Sequence, residues 1–484
     1  MKVEQIYTGC LAHGAYYIES AGEAAIIDPL RETKPYLEKL EQTGAKLKYI
    51  IETHFHADFV SGHLDLAKAT GATIVFGPTA QPNYDIHLAD DGEELPLGDV
   101  SIKVLHTPGH TMESSSFLLR DENGKDHAIF TGDTLFLGDV GRPDLAIKQG
   151  EVTKEDLAGY LFDSLRNKVM TLADDVIVYP GHGAGSACGK NLSKETVGLL
   201  GDQKKLNYAL REDMTRDEFI QEVTAGLTPP PQYFSKNAMM NKGGYESFAN
   251  VLTKGNHPLA PEEFEYLANA EEALVLDVSD REEFAAAHIP NSIFIGLDGQ
   301  FAPWVGALIV DIKQPILIVA PKGKTEEVVT RLSRVGYDNV LGYLEDGIAA
   351  WTNSGRETDS IKNVAATELE ELVNTGQANE VLDTRTPTEF LSEHLLIAEN
   401  YPLDYINGKH INELDRAKTY YLHCGSGYRS LIAASILRAR GFQHLVNVQG
   451  GWAAIKETGM AKSDYRCPTE MNQEAIDQAV IAVL

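Results

Sequence analysis

His54, His56 and Asp58 fall within five residues, in the run Thr53-His54-Phe55-His56-Ala57-Asp58-Phe59. Imidazole and carboxylate are the common ligands of catalytic zinc and iron, so this spacing points to a metal. An apolar run before it, Tyr49-Ile50-Ile51, reads as a buried strand. The ligands therefore stand where a strand opens into a loop, and alternation along an extended segment aims both histidines the same way. Three further strand ends carry similar chemistry. Leu105-His106-Thr107-Pro108-Gly109-His110 presents His110 after a tight Pro-Gly turn. Phe130-Thr131-Gly132-Asp133 presents Asp133, and Val178-Tyr179-Pro180-Gly181-His182 repeats the Pro-Gly-His device at His182.

A second kind of chemistry lies towards the C-terminus. Tyr420-Tyr421-Leu422-His423 reads as a strand ending at Cys424, and Gly425-Ser426-Gly427-Tyr428-Arg429 leads from it into an apolar helical run. The glycines let backbone N–H groups turn in around the sulfur, and a helix N-terminus adds positive potential. Both stabilise a thiolate or a persulfide anion. Arg429 can hold an anionic acceptor such as sulfite. A Cys-x5-Arg loop would instead suit phosphate chemistry, but the loop here is one residue shorter.

These sites need a frame, and the chain supplies three modules. Residues 1–245 alternate short apolar strands (Ala24–Ile27, Ala72–Phe76, Asp175–Tyr179) with helical patterns and Gly-rich loops. A Pro-rich piece, Thr228–Phe234, closes this region as a linker or an ordered lid. An internal repeat of roughly a hundred residues follows. Val275-Leu276-Asp277 recurs as Val381-Leu382-Asp383, and Asp346-Gly347-Ile348-Ala349-Ala350-Trp351 as Gly450-Gly451-Trp452-Ala453-Ala454-Ile455. Strand and helix alternate in both copies, predicting small doubly wound α/β domains at 246–358 and 359–484. The first copy has Val319 or Ala320 where the thiol should be, and no cysteine lies between Cys188 and Cys424. Its Lys322-Gly323-Lys324-Thr325 lacks the full spacing of a phosphate-binding loop.

Composition narrows the partners. A net charge of −29 repels phosphate backbones, which argues against nucleic acid. No apolar window reaches the ~18 residues of a membrane span, and the N-terminus has no apolar signal core. The four cysteines fit neither a disulfide framework nor a zinc knuckle, as expected of a reducing, cytoplasmic compartment.

With these loops, residues 1–245 resemble the metallo-β-lactamase superfamily, whose fold is an αββα sandwich. The Cys424 loop, with Asp383 and Gly450-Gly451-Trp452, resembles the active rhodanese loop, and the first repeat resembles an inactive rhodanese. Dinuclear zinc members of the superfamily carry His after the motif aspartate, where this chain has Phe59. A phenyl ring has no lone pair to give. His63 could compensate, although a helix-surface position is the expected one. The branch with a single metal is the persulfide dioxygenases. That resemblance implies one Fe(II) per chain at His54, His110 and Asp133, with His56, Asp58 and His182 behind it or serving a second metal.

By the same resemblance, the Gly141-Arg142-Pro143-Asp144 segment lies beside the iron. Arg142 there either pairs with Asp144 or faces an anionic substrate. Tyr233 and Asn241, with Phe234 and Asn237, would lie near a thiol-substrate pocket. Cys188 is either a buried filler or a thiol that relays sulfane sulfur, with Lys190 favouring its thiolate. The whole chain resembles bacterial persulfide dioxygenase–sulfurtransferase fusions. The implied partners are a low-molecular-weight thiol persulfide, O2 and sulfite, with thiosulfate as product and the chain associating as a homo-oligomer. The alternatives are a zinc thioester hydrolase of the glyoxalase II type fused to a sulfurtransferase, or a sulfur carrier with vestigial catalysis.

Overall fold

The computed structural model describes residues 1–147, 151–190, 192–227, 229–408, 414–467 and 478. Thr228, the first residue of the Pro-rich piece, lies outside these. The chain divides into two compact units, one of residues 1–250 with 330–337, the other of 251–329 with the remainder from 338.

The first unit is built on two six-stranded mixed sheets. One begins at Lys2–Thr8 and His13–Ser20, and its strand Lys46–Glu52 delivers the His54 loop. The other includes Val100–His106, Asp126–Gly132 and Ile177–Pro180, whose ends deliver His110, Asp133 and His182. Their facing surfaces share one core, in which Tyr16, Ile18, Ile27 and Ile51 of the first sheet meet Ile102, Val104, Phe117 and Phe130 of the second. Each outer face is covered by helices. Tyr36, Leu40 and Leu66 cover the first sheet, while Ala158, Leu161 and Phe219 cover the second. The result is the αββα sandwich. Both sheets bury apolar side chains on both faces, so their strands read as apolar runs rather than as clean alternation.

The second unit holds two five-stranded, all-parallel sheets. Strand order is the same in both when each is counted from its own first strand, namely first, fifth, fourth, second, third. The internal repeat is therefore a repeat of topology as well as of sequence. Ile316–Val319 and Tyr420–His423 are the equivalent central strands. Ala320 follows the first as Cys424 follows the second, which resolves the one-residue ambiguity in the first copy. Among the described residues no helix is long and apolar enough to cross a membrane.

Candidate metal centre and sulfur-transfer loop

The four strand-end loops converge. His54, His110 and Asp133 are buried, and one ligand atom from each lies within 4.8 Å of the other two. Each imidazole is oriented through its other nitrogen. His54 Nδ1 lies 3.0 Å from Thr53 Oγ1, and His110 Nδ1 lies 2.9 Å from the Arg142 carbonyl. That leaves Nε2 of each to face inward, with His110 Nε2 3.5 Å from Asp133 Oδ2. Neither Asp133 oxygen has a hydrogen-bond partner. A buried carboxylate with no partner is costly, and a cation between these groups removes the cost. Burial and the neighbouring imidazoles drive the His54 pKa well below its ordinary value, so this ring is neutral and keeps its lone pair. The set fits a divalent metal, with two imidazoles and one carboxylate as the donors.

His56 does not join this set, contrary to the expectation from strand alternation. The chain leaves the extended conformation after Glu52, and the His56 ring, beside that of His54, is taken up by two carboxylates. Its Nε2 lies 3.0 Å from Asp28 Oδ1 and 3.5 Å from Glu52 Oε2. Burial pushes its pKa down, but the two carboxylates outweigh burial and hold it well above the ordinary value. A protonated imidazole has no lone pair for a metal. Asp28 is fixed by Thr53, whose N–H and hydroxyl donate to its two oxygens at 2.7 and 2.9 Å. His63 is likewise corrected. It is fully buried at the start of the helix His63–Thr70, with Nδ1 3.4 Å from Glu52 Oε1, and not on a helix surface.

A third buried group combines Asp58, His182 and Cys188, again with ligand atoms within 4.8 Å. His182 Nε2 lies 3.4 Å from Asp58 Oδ2 and 3.6 Å from Asp133 Oδ1, so this group abuts the first. Lys190 does not assist the Cys188 thiol. Its ammonium donates to the Glu222 and Ala225 carbonyls instead. Burial and the Asp133 and Asp58 carboxylates push the Cys188 thiol pKa well up.

Arg142 takes the bracing role. Its guanidinium forks onto Asp144 at 2.7 and 2.8 Å, and its backbone N–H donates to the Cys188 carbonyl. Asn241 is also a brace. It accepts from the Ser61 N–H and donates to the His56 and Phe59 carbonyls, so its amide is spent on the histidine loop and not on a substrate. Tyr233 is buried at the head of the helix Phe234–Gly243, and burial followed by the Asp58 carboxylate raises its pKa. The Pro-rich piece thus leads into an ordered helix of the site. Asn237 on that helix is fully buried, and neither amide atom has a hydrogen-bond partner.

In the second unit Cys424 is buried at the end of Tyr420–His423. Its Sγ accepts the Gly427 N–H at 3.1 Å, with the Ser430 hydroxyl at 3.7 Å. Gly427 has φ +94°, a conformation that favours glycine and turns its N–H onto the sulfur. Gly450-Gly451 press on the same loop, since a Cβ at Gly451 would lie 2.4 Å from the Cys424 carbonyl oxygen. Arg429 is not a free anion hook. Its two terminal nitrogens fork onto Glu389 at 2.7 and 2.8 Å. Burial pushes the Glu389 pKa up, but Arg429 outweighs it and holds the carboxyl below its ordinary range. Glu389-Phe390 repeats Glu283-Phe284 of the first copy, and in sequence the pair marks only the repeat.

Comparison with known proteins agrees with this architecture. Residues 8–182 match the family model of the metallo-beta-lactamase superfamily, and residues 260–354 and 365–458 each match that of the rhodanese-like domain. A crystal structure of a metallo-beta-lactamase from Staphylococcus aureus subsp. aureus COL superposes with a TM-score of 0.63 at 31% identity, covering 71% of this chain and 98% of that one. The chain belongs to the metallo-beta-lactamase superfamily and carries two rhodanese-like domains.

Relatives of the metallo-beta-lactamase part have more than one activity. A probable hydroxyacylglutathione hydrolase of Schizosaccharomyces pombe is 34% identical over 182 residues, 37% of this chain and just under two thirds (66%) of that protein. The mitochondrial persulfide dioxygenase ETHE1 of Homo sapiens is 28% identical over 212 residues, 43% of this chain and 74% of that protein. Within the superfamily sandwich, the metal groups described above sit at the loop ends of the two sheets. Within the rhodanese-like pair, only the second copy has a cysteine at its loop.

Proposed function

We propose that the chain is a persulfide dioxygenase joined to a sulfurtransferase, with the work divided among residues 1–245, 246–358 and 359–484. The observation that carries this reading is the His54, His110 and Asp133 triad, whose ligand atoms converge around two Asp133 oxygens without hydrogen-bond partners, while His56 pairs with Asp28 and Glu52. Those three residues would hold one Fe(II). Bound there, ferrous iron would supply the redox chemistry for oxidising a sulfur anion with dioxygen.

The chain's own residues set the conditions. Thr53 and the Arg142 carbonyl hold the two imidazoles in the ligating orientation. Burial keeps His54 unprotonated. Asp133 brings one negative charge to the metal, so the site stays net positive towards an anionic persulfide. The net reaction is RSSH + O2 + H2O giving RSH, sulfite and two protons. The sulfane sulfur loses four electrons and dioxygen gains them.

At the other site the Cys424 thiolate attacks the outer sulfur of a second persulfide, and the parent thiol leaves. The Gly427 N–H and the start of the helix Tyr428–Ala439 stabilise the resulting anion. Sulfite then attacks the outer sulfur of the Cys424 persulfide, releasing thiosulfate and the thiolate. Fusion keeps the sulfite producer and consumer on one chain.

The test is the metal identity and count in protein purified without air, together with oxygen uptake on glutathione or coenzyme A persulfide. One iron per chain and persulfide-dependent uptake are expected. Two zinc ions with no uptake would overturn the reading. The second reading, a zinc thioester hydrolase, is favoured by the hydroxyacylglutathione hydrolase relative and by the Asp58, His182 and Cys188 group beside the first. It predicts that two-zinc outcome, with hydrolysis of a hydroxyacylglutathione.

A further inference from the structure

We propose that the cysteine-free middle repeat acts as a clamp on the sulfur-transfer loop, gripping it through Tyr428. This rests on the reading that Cys424 carries the sulfane sulfur. Tyr428 stands between Cys424 and Arg429 and is the first residue of the helix Tyr428–Ala439. Its hydroxyl donates to the Gly296 carbonyl of the middle repeat at 2.7 Å. Its ring fills a slot that two glycines of that repeat leave open. A Cβ at Gly299 would lie 2.4 Å from Tyr428 Cζ, and one at Gly296 would lie 3.4 Å from Cε2. Phe294 meets the ring nearly edge-on, with centroids 6.1 Å apart.

The grip continues along the helix. The Phe294 N–H donates to Ser435 Oγ at 3.0 Å. Near the far end the Arg438 guanidinium forks onto Asp359, just past the middle repeat, with both bonds 2.6 Å. Asp359 is itself tied back, since its carbonyl accepts the His288 N–H. The helix is thus held at three heights by the middle repeat and the segment that leaves it.

What is held matters for chemistry. This helix carries Arg429, and the N–H just before it points at Cys424 Sγ. A shift of a few tenths of an ångström at Tyr428 moves both. The middle repeat has Ala320 where a nucleophile would stand, yet it supplies the glycine slot and the carbonyl that fix its neighbour's loop. Tyr428 is on this account a positioning residue for sulfur transfer.

The experiment uses the full chain, loaded with its metal, and two variants. Tyr428→Phe removes one hydroxyl and keeps the ring. Gly299→Ala pushes on the ring from the other side. The readouts are the pH midpoint of Cys424 alkylation by iodoacetamide, followed on the Cys424 peptide by mass spectrometry, and kcat and KM for thiosulfate formation from persulfide and sulfite. Tyr428→Phe is expected to raise the alkylation midpoint and lower kcat about 3- to 10-fold, the scale of one lost hydrogen bond, with persulfide-dependent oxygen uptake as in wild type. Gly299→Ala is expected to exceed it in the same direction. An alkylation midpoint and transfer kinetics that match wild type in Tyr428→Phe overturn the clamp. If Gly299→Ala fails to fold, Tyr428→Phe decides alone. If the wild-type chain makes no Cys424-dependent thiosulfate, the sulfurtransferase reading fails, and the alkylation midpoints still decide the clamp.

Discussion

The middle repeat differs from the third domain in more than its missing cysteine, and the difference should be measurable as a pH dependence of stability. In the third domain, Asp383 at the end of its strand is paired by Arg385, whose Nε lies 2.9 and 3.0 Å from its two oxygens. The Arg385 guanidinium in turn lies over the Trp452 ring at 4.4 Å. In the middle repeat the same strand end is Asp277, and Ser279 stands in the place of Arg385. Asp277 is buried, and among the described residues its donors are the Ser279 N–H and hydroxyl. Burial therefore wins, and its pKa rises from the ordinary 3.8 to about 6. A carboxyl that is harder to ionise when folded contributes fully below the unfolded pKa, and that contribution disappears as pH rises through the folded pKa. Stability should fall between pH 4 and 6 by about 3 kcal/mol from this group, at 1.36 kcal/mol per pH unit, and stay flat above. Asp277→Asn keeps an acceptor for Ser279 and removes the titration. The difference between variant and wild type should be near zero at pH 4 and reach about 3 kcal/mol in the variant's favour at pH 8. Urea unfolding at several pH values, followed by tryptophan fluorescence, measures it. Trp304, Trp351 and Trp452 are the chain's three tryptophans, and all lie in the second unit. A difference that does not change between pH 4 and 8 would refute the burial argument for Asp277.

The metal and thiol assignments make separable predictions. Asp133→Ala should lose the metal and lower oxygen uptake by more than the roughly 10–100-fold typical of outer partners, while thiosulfate formation from supplied persulfide and sulfite survives. Retained uptake, measured with an oxygen electrode, would show the ligand set to be wrong. Cys424→Ser should leave oxygen uptake unchanged and shift the product from thiosulfate to sulfite, read by ion chromatography. Unchanged thiosulfate would move the carrier role to Cys188. Cys188→Ser should keep one iron per chain by elemental analysis, and a fall from two metals to one would place a second ion with Asp58 and His182.

The sequence made the strand-end loops legible because each ligand follows a strand directly, and a Pro-Gly turn marks two of the four. The repeat was legible because equivalent strand ends keep an aspartate and equivalent helices keep similar motifs. Partnership across the chain was not. Nothing near Arg429 in sequence announces Glu389, 40 residues earlier, as the carboxylate that occupies its fork. Asn241 looked like a pocket residue because its location in the chain matched a family segment. Its three hydrogen bonds to the loop around His56 are fixed only once the helix Phe234–Gly243 has packed there. Short-range pattern reports which residues stand at a loop, and long-range packing decides which atoms remain free.

His54 and His56 show how far that decision reaches. They are the same residue type two positions apart, with ring centroids 4.2 Å from one another. Phe59 is fully buried against His56 and His13, each 4.3 Å away by ring centroid, and offers no lone pair. On its other side His56 meets two buried carboxylates, Asp28 and Glu52, that favour its protonated form. Bound in that network, it is a cation that neutralises buried charge. At His54 burial and neighbouring imidazoles set the pKa, and they lower it. The ring faces imidazoles and Asp133, stays neutral, and retains a lone pair. Whether His56 can serve as a ligand is therefore decided by Asp28 and Glu52, because a histidine held in its protonated form is withdrawn from coordination.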